Sequence, residues 1–284
     1  MSRVIVTGGT RDEVAPIAVF IKNIKDTCAH LFDEAVVYHD GIRKKDRELI
    51  NSIFPTRFIE YKPDLVSRND EITTYFTPMI FCKYECFRLL KDYQQVVWSD
   101  YDVVVQKSFD DFCKTEEGTM NILKSVKTVR DMFYKDIVNQ DILGYDMTRM
   151  AVMTPLFAID DSIKDADKIA DFCYDKTGAW DRDLYLPEQA VLGLAVQEYG
   201  VGLKAFEFND YACYPTKAKG DEYIIHAAGQ PKFWNGMDNP DWERRYREWL
   251  ALGGSPYSEF RKRLTRKVLL VISRIRGVRK KEHL

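Results

Sequence analysis

The stretch VVWSDYDVVV, residues 96–105, decides the fold. It opens with β-branched and aromatic residues, typical of a buried strand, and Asp100 and Asp102 follow where that strand is expected to end. Ahead of it, apolar runs alternate with amphipathic helical patterns: strands are predicted at 4–6, 35–38 and 57–60, with helices beginning near Val14 and Arg43. This order predicts an α/β fold with a Rossmann-like, mainly parallel sheet between helices. Ligands bind such sheets at the carboxyl ends of the strands, where the two aspartates lie.

The rest of the chain has weaker periodicity. A helix ending near Leu90 is predicted, with Thr77 as its N-cap and Pro78 in its first turn. Further strands are predicted at 151–159 and 223–225, further helices at 166–174 and 188–198, and long loops at 115–150 and 207–222. Long loops commonly carry function, so these two are candidate lids over a ligand.

Composition limits the class of protein. The chain has 284 residues, of which 45% are apolar, enough for one sizeable core. It shows neither a membrane-spanning apolar run nor a secretory signal, which predicts a cytoplasmic protein. The six cysteines are scattered, and we expect them to be buried free thiols.

Charge is unevenly distributed along the chain. The formal net charge is -2, yet residues 261–284 hold ten Lys and Arg against one acid, so the remainder is strongly acidic. An acidic body argues against nucleic-acid binding. The tail's apolar residues fall on one helical stripe flanked by basic ones, which predicts an amphipathic helix lying on an anionic membrane surface; packing of that stripe on the body is the alternative. The breaker cluster at 253–256 divides a catalytic domain, 1–252, from this tail, 253–284.

Two short elements indicate a metal and phosphate site. Asp100 and Asp102 alternate at a strand end, so their carboxylates can point the same way and offer the hard oxygen ligands that Mn²⁺ or Mg²⁺ prefers. A second apolar run is followed by HAAGQPKFW, residues 226–234. Its His226 can be a third ligand, Gly229 lets backbone amides approach a phosphate, and Lys232 supplies a positive charge.

These elements resemble glycosyltransferase family 8, which includes glycogenin and bacterial lipopolysaccharide galactosyl- and glucosyltransferases. VVWSDYDVVV corresponds to the family's strand-DxD element, and HAAGQPKFW to its HxxGxxKPW element, with Phe233 in place of proline. Lys83 corresponds to a basic residue on the helix before DxD. Glu188-Gln189 corresponds to the family's D-Q pair. The resemblance covers roughly residues 3–235 and implies a GT-A fold.

The resemblance also implies a function. It implies retaining transfer of galactose or glucose from a UDP-sugar to a saccharide or lipid-linked saccharide, as in bacterial surface polysaccharide or lipopolysaccharide synthesis. The implied metal ligands for Mn²⁺ are Asp100, Asp102 and His226. The implied donor-binding residues are Thr7, Gly8, Lys83, Asp100, Tyr101, Gly229 and Lys232. Glu188 and Gln189 would lie beside the sugar as the catalytic pair.

Departures and alternatives bear on this function. Where the family commonly has N-A-G-V, this chain has Met153-Thr154-Pro155-Leu156, which reshapes the sugar pocket and leaves galactose and glucose both open. DYDVV also fits the nucleophile motif of a haloacid-dehalogenase-like phosphatase, although that motif normally follows the first strand of its domain. VTGGT at 6–10 suggests a dinucleotide-binding dehydrogenase, but it lacks the third glycine of the dinucleotide-binding loop. A non-catalytic nucleotide-sugar-binding protein is a further alternative.

Overall fold

The computed structural model describes residues 2–63, 76–134, 144–229 and 231–259, together with Lys262, Leu264 and Lys267. The predicted amphipathic helix of the tail lies almost entirely outside these residues. Within the described part of the chain, none of the helices has the length and apolar content needed to span a membrane.

The described ranges contain nine strands in two sheets. They are β1 Arg3–Gly9, β2 Glu34–His39, β3 Thr56–Glu60, β4 Gln95–Ser99, β5 Val103–Val105, β6 Thr119–Leu123, β7 Met153–Asp160, β8 Gly202–Phe206 and β9 Ile224–His226. The large sheet has the order β3-β2-β1-β4-β7-β6-β8, and β5 pairs with β9 in a separate two-stranded sheet. Within the large sheet, β7 runs antiparallel to both neighbours and the other pairings are parallel. This mixed, mostly parallel sheet is the one that the sequence predicts.

Helices cover both faces of the large sheet. They are α1 Val14–Cys28, α2 Lys44–Ile53, α3 Glu85–Leu89, α4 Ala166–Ala179, α5 Pro187–Glu198, α6 Phe208–Tyr211 and α7 Pro240–Ala251. The main 3-10 segments are Arg11–Glu13, Pro78–Tyr84 and Val129–Met132. Strand alternation divides the core: Val4 and Val6 pack with α3, α4 and α5, whereas Ile5 packs with α1, α2 and α7.

Several sequence predictions are confirmed, and others need correction. Thr77 caps its helix by accepting a hydrogen bond from the Met79 amide, but the first seven residues of that helix are 3-10 rather than α. The two predicted loops contain secondary structure, namely β6 in the first and α6 in the second. All six cysteines are free and buried, as predicted.

The segment after α7 packs on the body. Ser255 is 4% exposed, and its amide donates to the buried Asp46 carboxylate at 3.0 Å. Gly254 lies so close to Trp249 that a Cβ would stand 2.0 Å from the indole ring, which explains why glycine is needed there. Residues 253–256 therefore form an anchored turn. The division at residue 252 stays a prediction.

Candidate active site

The small sheet brings the two sequence motifs together. Val103 is the register partner of His226, and the amide of Ala227 donates to the carbonyl oxygen of Asp102 at 2.9 Å. The other edge of β5 is held by Asn23 of α1, whose side chain exchanges two hydrogen bonds with the backbone of Val105, at 2.7 and 2.9 Å. The short strand is thus fixed on both sides, which fixes the position of Asp102.

Three side chains converge at this point. Asp100, Asp102 and His226 each offer one ligand atom within 4.8 Å of the others. The convergence does not come from an extended strand, as the alternation argument assumed: β4 ends at Ser99, and the chain bends at Tyr101 and Asp102 before β5 begins. Nε2 of His226 lies 3.2 Å from Oδ1 of Asp102, and the buried Nδ1 of His226 has no hydrogen-bond partner within the described part of the chain.

Two lysines border the carboxylates. Lys232 contacts the carboxylate of Asp102 and donates to the carbonyl oxygen of Ala227 at 2.7 Å. Lys83, only 6% exposed, lies 3.1 Å from Oδ1 of Asp100 and 3.2 Å from Oε1 of Glu188. Each aspartate is therefore paired with its own lysine.

Burial and charge move the pKa values of this cluster in different directions. Burial raises the pKa of Asp100 above its ordinary value, partly offset by the Lys83 charge. Burial also opposes ionisation of Asp102, but His226 and Lys232 outweigh it and hold the pKa of this carboxyl below its ordinary value. Burial would lower the pKa of Lys83, yet Asp100 and Glu188 together raise it. Asp102 and Lys83 are therefore charged at neutral pH, which is the state needed to bind a cation and a phosphate respectively.

Beyond Lys83 the cleft is lined by buried polar groups. Glu188, at the first turn of α5, is 1% exposed, and its Oε1 accepts from the Thr154 hydroxyl at 2.7 Å. Its other oxygen, Oε2, and Oε1 of Gln189 are buried and lack partners among the described residues. Both residues line the cleft. Buried acceptors of this kind call for a ligand or solvent molecule that donates hydrogen bonds.

At the opposite end, the cleft is closed by aromatic and paired charged side chains. The ring of Tyr101 stacks on Trp234 with centroids 5.8 Å apart. Glu13 accepts from the amide and hydroxyl of Thr10 at 3.1 and 3.0 Å, and its other oxygen lies 2.7 Å from Nζ of Lys262. Aromatic faces and hydrogen-bonding groups suit a nucleoside.

All of these groups face one cleft of about 680 Å³. Most of the predicted site residues line it: Gly8, Lys83, Asp100, Tyr101, Asp102, Glu188, Gln189, His226, Gly229 and Lys232. Thr7 does not; it is fully buried within β1. Gly229 has φ of +75°, which explains glycine at that position.

Among the charged residues of the cleft, sequence reasoning missed Glu13 and Lys262, and it placed Thr154 at the sugar pocket without assigning it a contact. Glu13 had a usable signal, because Thr10-x-x-Glu13 is a capping box at the start of a helix. The contacts of Thr154 and Lys262 had no such signal, since their partners lie far away along the chain.

Fold and site together define a GT-A glycosyltransferase. The chain belongs to glycosyltransferase family 8, whose model, described as glycosyl transferase family 8, matches residues 4–153. The phosphatase and dehydrogenase alternatives are not supported, because the DYD element follows β4 rather than the first strand and the matched family is a transferase family.

Solved structures with this fold include glycosyltransferases. The bifunctional glycosyltransferase WbbM in its apo form has a TM-score of 0.65 at 13% identity, covering 90% of this chain and 52% of WbbM. An active-site mutant of LgtC has a TM-score of 0.65 at 14% identity, covering 89% of this chain and 97% of LgtC. The galactosyltransferase LgtC bound to donor and acceptor sugar analogues has a TM-score of 0.59 at 15% identity, with coverages of 90% and 96%. This chain thus spans about half of WbbM and nearly all of LgtC. No match was found among curated proteins.

Proposed function

We propose that this chain transfers a hexose, galactose or glucose, from a UDP-sugar to a saccharide or lipid-linked saccharide acceptor, with retention of anomeric configuration. The convergence of Asp100, Asp102 and His226 in the cleft, with a lysine on each aspartate, is the observation that carries this proposal. LgtC, which shares the fold, was solved with donor and acceptor sugar analogues, and this supports the substrate classes.

The residues fit a divalent cation. Two carboxylates and an imidazole form a hard donor set suited to Mn²⁺ or Mg²⁺, and three protein ligands leave positions for phosphate oxygens. The bound ion would stabilise the charge that builds on the diphosphate leaving group. Asp102, whose carboxyl pKa is held low, offers an ionised ligand at any neutral pH.

Lys232 would bind the diphosphate, and the positive charge of Lys83 would help to neutralise it. Lys232 contacts the carboxylate of Asp102, which the cation would share. A cation on this carboxylate competes with the lysine, so we expect Lys232 to turn to the diphosphate when metal and donor bind together. Gly229 has a positive φ, which favours glycine, and because it carries no side chain it leaves room for that approach.

The chemistry of the cleft supports a position for each end of the donor, the uridine and the hexose. The uridine would lie beside Gly8 and Tyr101, where the aromatic faces are. The hexose would lie beside Glu188 and Gln189, whose buried, unpartnered oxygens accept hydrogen bonds from sugar hydroxyls. Here Glu188 and Gln189 orient the sugar and support positive charge at the anomeric carbon.

Transfer and stereochemistry can be tested together. The protein is incubated with Mn²⁺, a UDP-hexose panel and a panel of terminal saccharides, and the product linkage is determined by NMR. An α-linked product from an α-linked donor is expected. A β-linked product would contradict retention, and phosphate release from simple esters without sugar transfer would contradict the transferase function.

The tail and its location form a separate proposal. Ten basic residues in 261–284 would hold the chain on an anionic cytoplasmic membrane surface, close to a lipid-linked acceptor used in surface polysaccharide or lipopolysaccharide synthesis. Deleting residues 268–284 spares the contacts of Ser255 and Lys262 with the body. The truncated chain should lose binding to vesicles rich in phosphatidylglycerol, while neither form binds neutral vesicles. Equal binding by both forms would contradict the proposal.

A further inference from the structure

Thr154 holds a place in the cleft that its chemistry makes specific. It lies in β7, is fully buried, and its hydroxyl donates to Oε1 of Glu188 at 2.7 Å. The same hydroxyl accepts from Nζ of Lys83 at 3.1 Å. Lys83 also donates to Oε1 of Glu188 at 3.2 Å, which closes a three-membered ring of hydrogen bonds. Only a residue that both donates and accepts can fill this position.

The ring orders the carboxylate of Glu188. One of its oxygens, Oε1, receives two hydrogen bonds, and the other, Oε2, is buried with no partner among the described residues. Rotation about the last side-chain torsion of a glutamate is only weakly restricted, so its carboxylate can take many orientations. Two hydrogen-bond donors on one oxygen select a single orientation. The free oxygen is therefore held as an acceptor on the wall of the cleft.

The ring also connects the sugar end of the cleft to the metal end. The ammonium group of Lys83 has three N–H donors, and its third partner is Oδ1 of Asp100 at 3.1 Å. Oδ1 of Asp100 accepts a further hydrogen bond from the Trp98 indole at 2.9 Å. Lys83 thus links a candidate metal ligand to Glu188, and Thr154 contacts Lys83 and Glu188.

We infer that Thr154 is a positioning residue for the donor sugar: its hydroxyl fixes Glu188 so that Oε2 faces a hydroxyl of the hexose. This inference rests on the proposed function, since it presupposes a sugar beside Glu188. The inference predicts different effects on sugar and nucleotide recognition. Loss of the Thr154 hydroxyl weakens recognition of the UDP-sugar but leaves recognition of UDP intact.

The test compares Thr154→Val, which keeps the shape but removes the hydroxyl, with Thr154→Ser, which keeps the hydroxyl. Thr56→Val is the matched control, because the hydroxyl of Thr56, on β3, is also buried but donates to the carbonyl oxygen of Phe54, outside the cleft. For each variant, calorimetry gives the Kd of UDP with Mn²⁺, and slow hydrolysis gives kcat/KM for UDP-galactose and UDP-glucose. Thermal melting shows whether each variant is folded.

Thr154→Val is expected to lower kcat/KM for the preferred donor about tenfold or more, as for a lost hydrogen bond to a charged group. Its UDP Kd should stay within about twofold, and Thr154→Ser should recover most of the loss. The inference is overturned if Thr154→Val matches Thr56→Val, if serine fails to rescue, or if UDP affinity falls as much as donor turnover. If the wild-type protein binds UDP but hydrolyses neither donor, the proposed hexose donor and this inference both fail; if it binds no UDP, the whole proposed function fails.

Discussion

Val103 and His226 are register partners in the small antiparallel sheet, so a strand that begins directly after Asp102 places that aspartate beside the histidine. The two residues belong to motifs more than a hundred residues apart in the chain. Their pairing, together with the clamp of Asn23 on Val105, converts two separate sequence signals into one site.

Replacing Lys83 by methionine should destabilise the protein. The change leaves Asp100 and Glu188 buried without their shared cation, and breaking such a buried pair costs about 3–5 kcal/mol. Urea denaturation measures the loss. Lys83→Arg, which keeps the charge, should lose less.

The loss of stability in Lys83→Met should also depend on pH. Burial already raises the pKa of Asp100, and removing Lys83 raises it further. A carboxyl whose folded pKa exceeds its unfolded value destabilises the folded state as pH rises through that range. The unfolding free energy of Lys83→Met should therefore fall further below that of wild type at pH 7.5 than at pH 5.5. An equal deficit at both pH values would contradict the pairing.

Lys262 should influence donor binding through Glu13. Burial opposes ionisation of Glu13, but Lys262 outweighs it and holds the pKa of the carboxyl below its ordinary value, so an ionised Glu13 faces the cleft with its charge neutralised. Lys262→Met would expose that charge to the anionic donor and weaken UDP binding, by about threefold to tenfold. Glu13→Gln in the same chain should restore most of the affinity. Additive losses in this double-mutant cycle would contradict the coupling.

Gly8 should be intolerant of a side chain because of packing. A Cβ there would stand 2.4 Å from Sγ of Cys82 and 3.2 Å from Cβ of Tyr38. Gly8→Ala is expected to cost about 1–3 kcal/mol of unfolding free energy, as overpacking does. Cys82→Ala in addition should relieve part of this cost. If the two changes simply add, the clash with Cys82 is not its origin.

The six thiols should be unreactive in the folded protein. All are buried, and burial raises the pKa values of Cys28 and Cys113 to about 12, so thiolate is scarce at pH 8. Ellman's reagent should titrate fewer than one thiol per chain in native protein and six in guanidinium chloride. Rapid reaction of one or more native thiols would contradict the burial.

The sequence predicts the sheet and the site motifs because their signals are local. Apolar runs, Thr77 with Pro78, and the DxD element each lie within a few residues. The Thr154 contact could not be predicted, because Lys83 and Thr154 are 71 residues apart and nothing local marks them as partners. The strand β8 was not predicted, because its five residues, GLKAF, lack the β-branched residues and the alternation that mark a strand, although Gly200 marks the end of α5. The Lys262 contact was not predicted either, because Lys262 belongs to the basic tail, whose pattern is typical of a membrane-binding helix.

The most direct test of the central claim is UDP release from UDP-galactose and UDP-glucose without acceptor, measured in Mn²⁺ and in EDTA. Wild type is compared with Asp102→Asn and with Asp111→Asn, which changes an exposed carboxylate paired with Lys114 outside the cleft. Manganese-dependent release from one of the two donors is expected, lost by at least about a hundredfold in Asp102→Asn and in EDTA and unchanged in Asp111→Asn. Release that persists in EDTA and in Asp102→Asn would contradict a metal site at these residues, and no release or binding of any nucleotide sugar would contradict the proposed function itself.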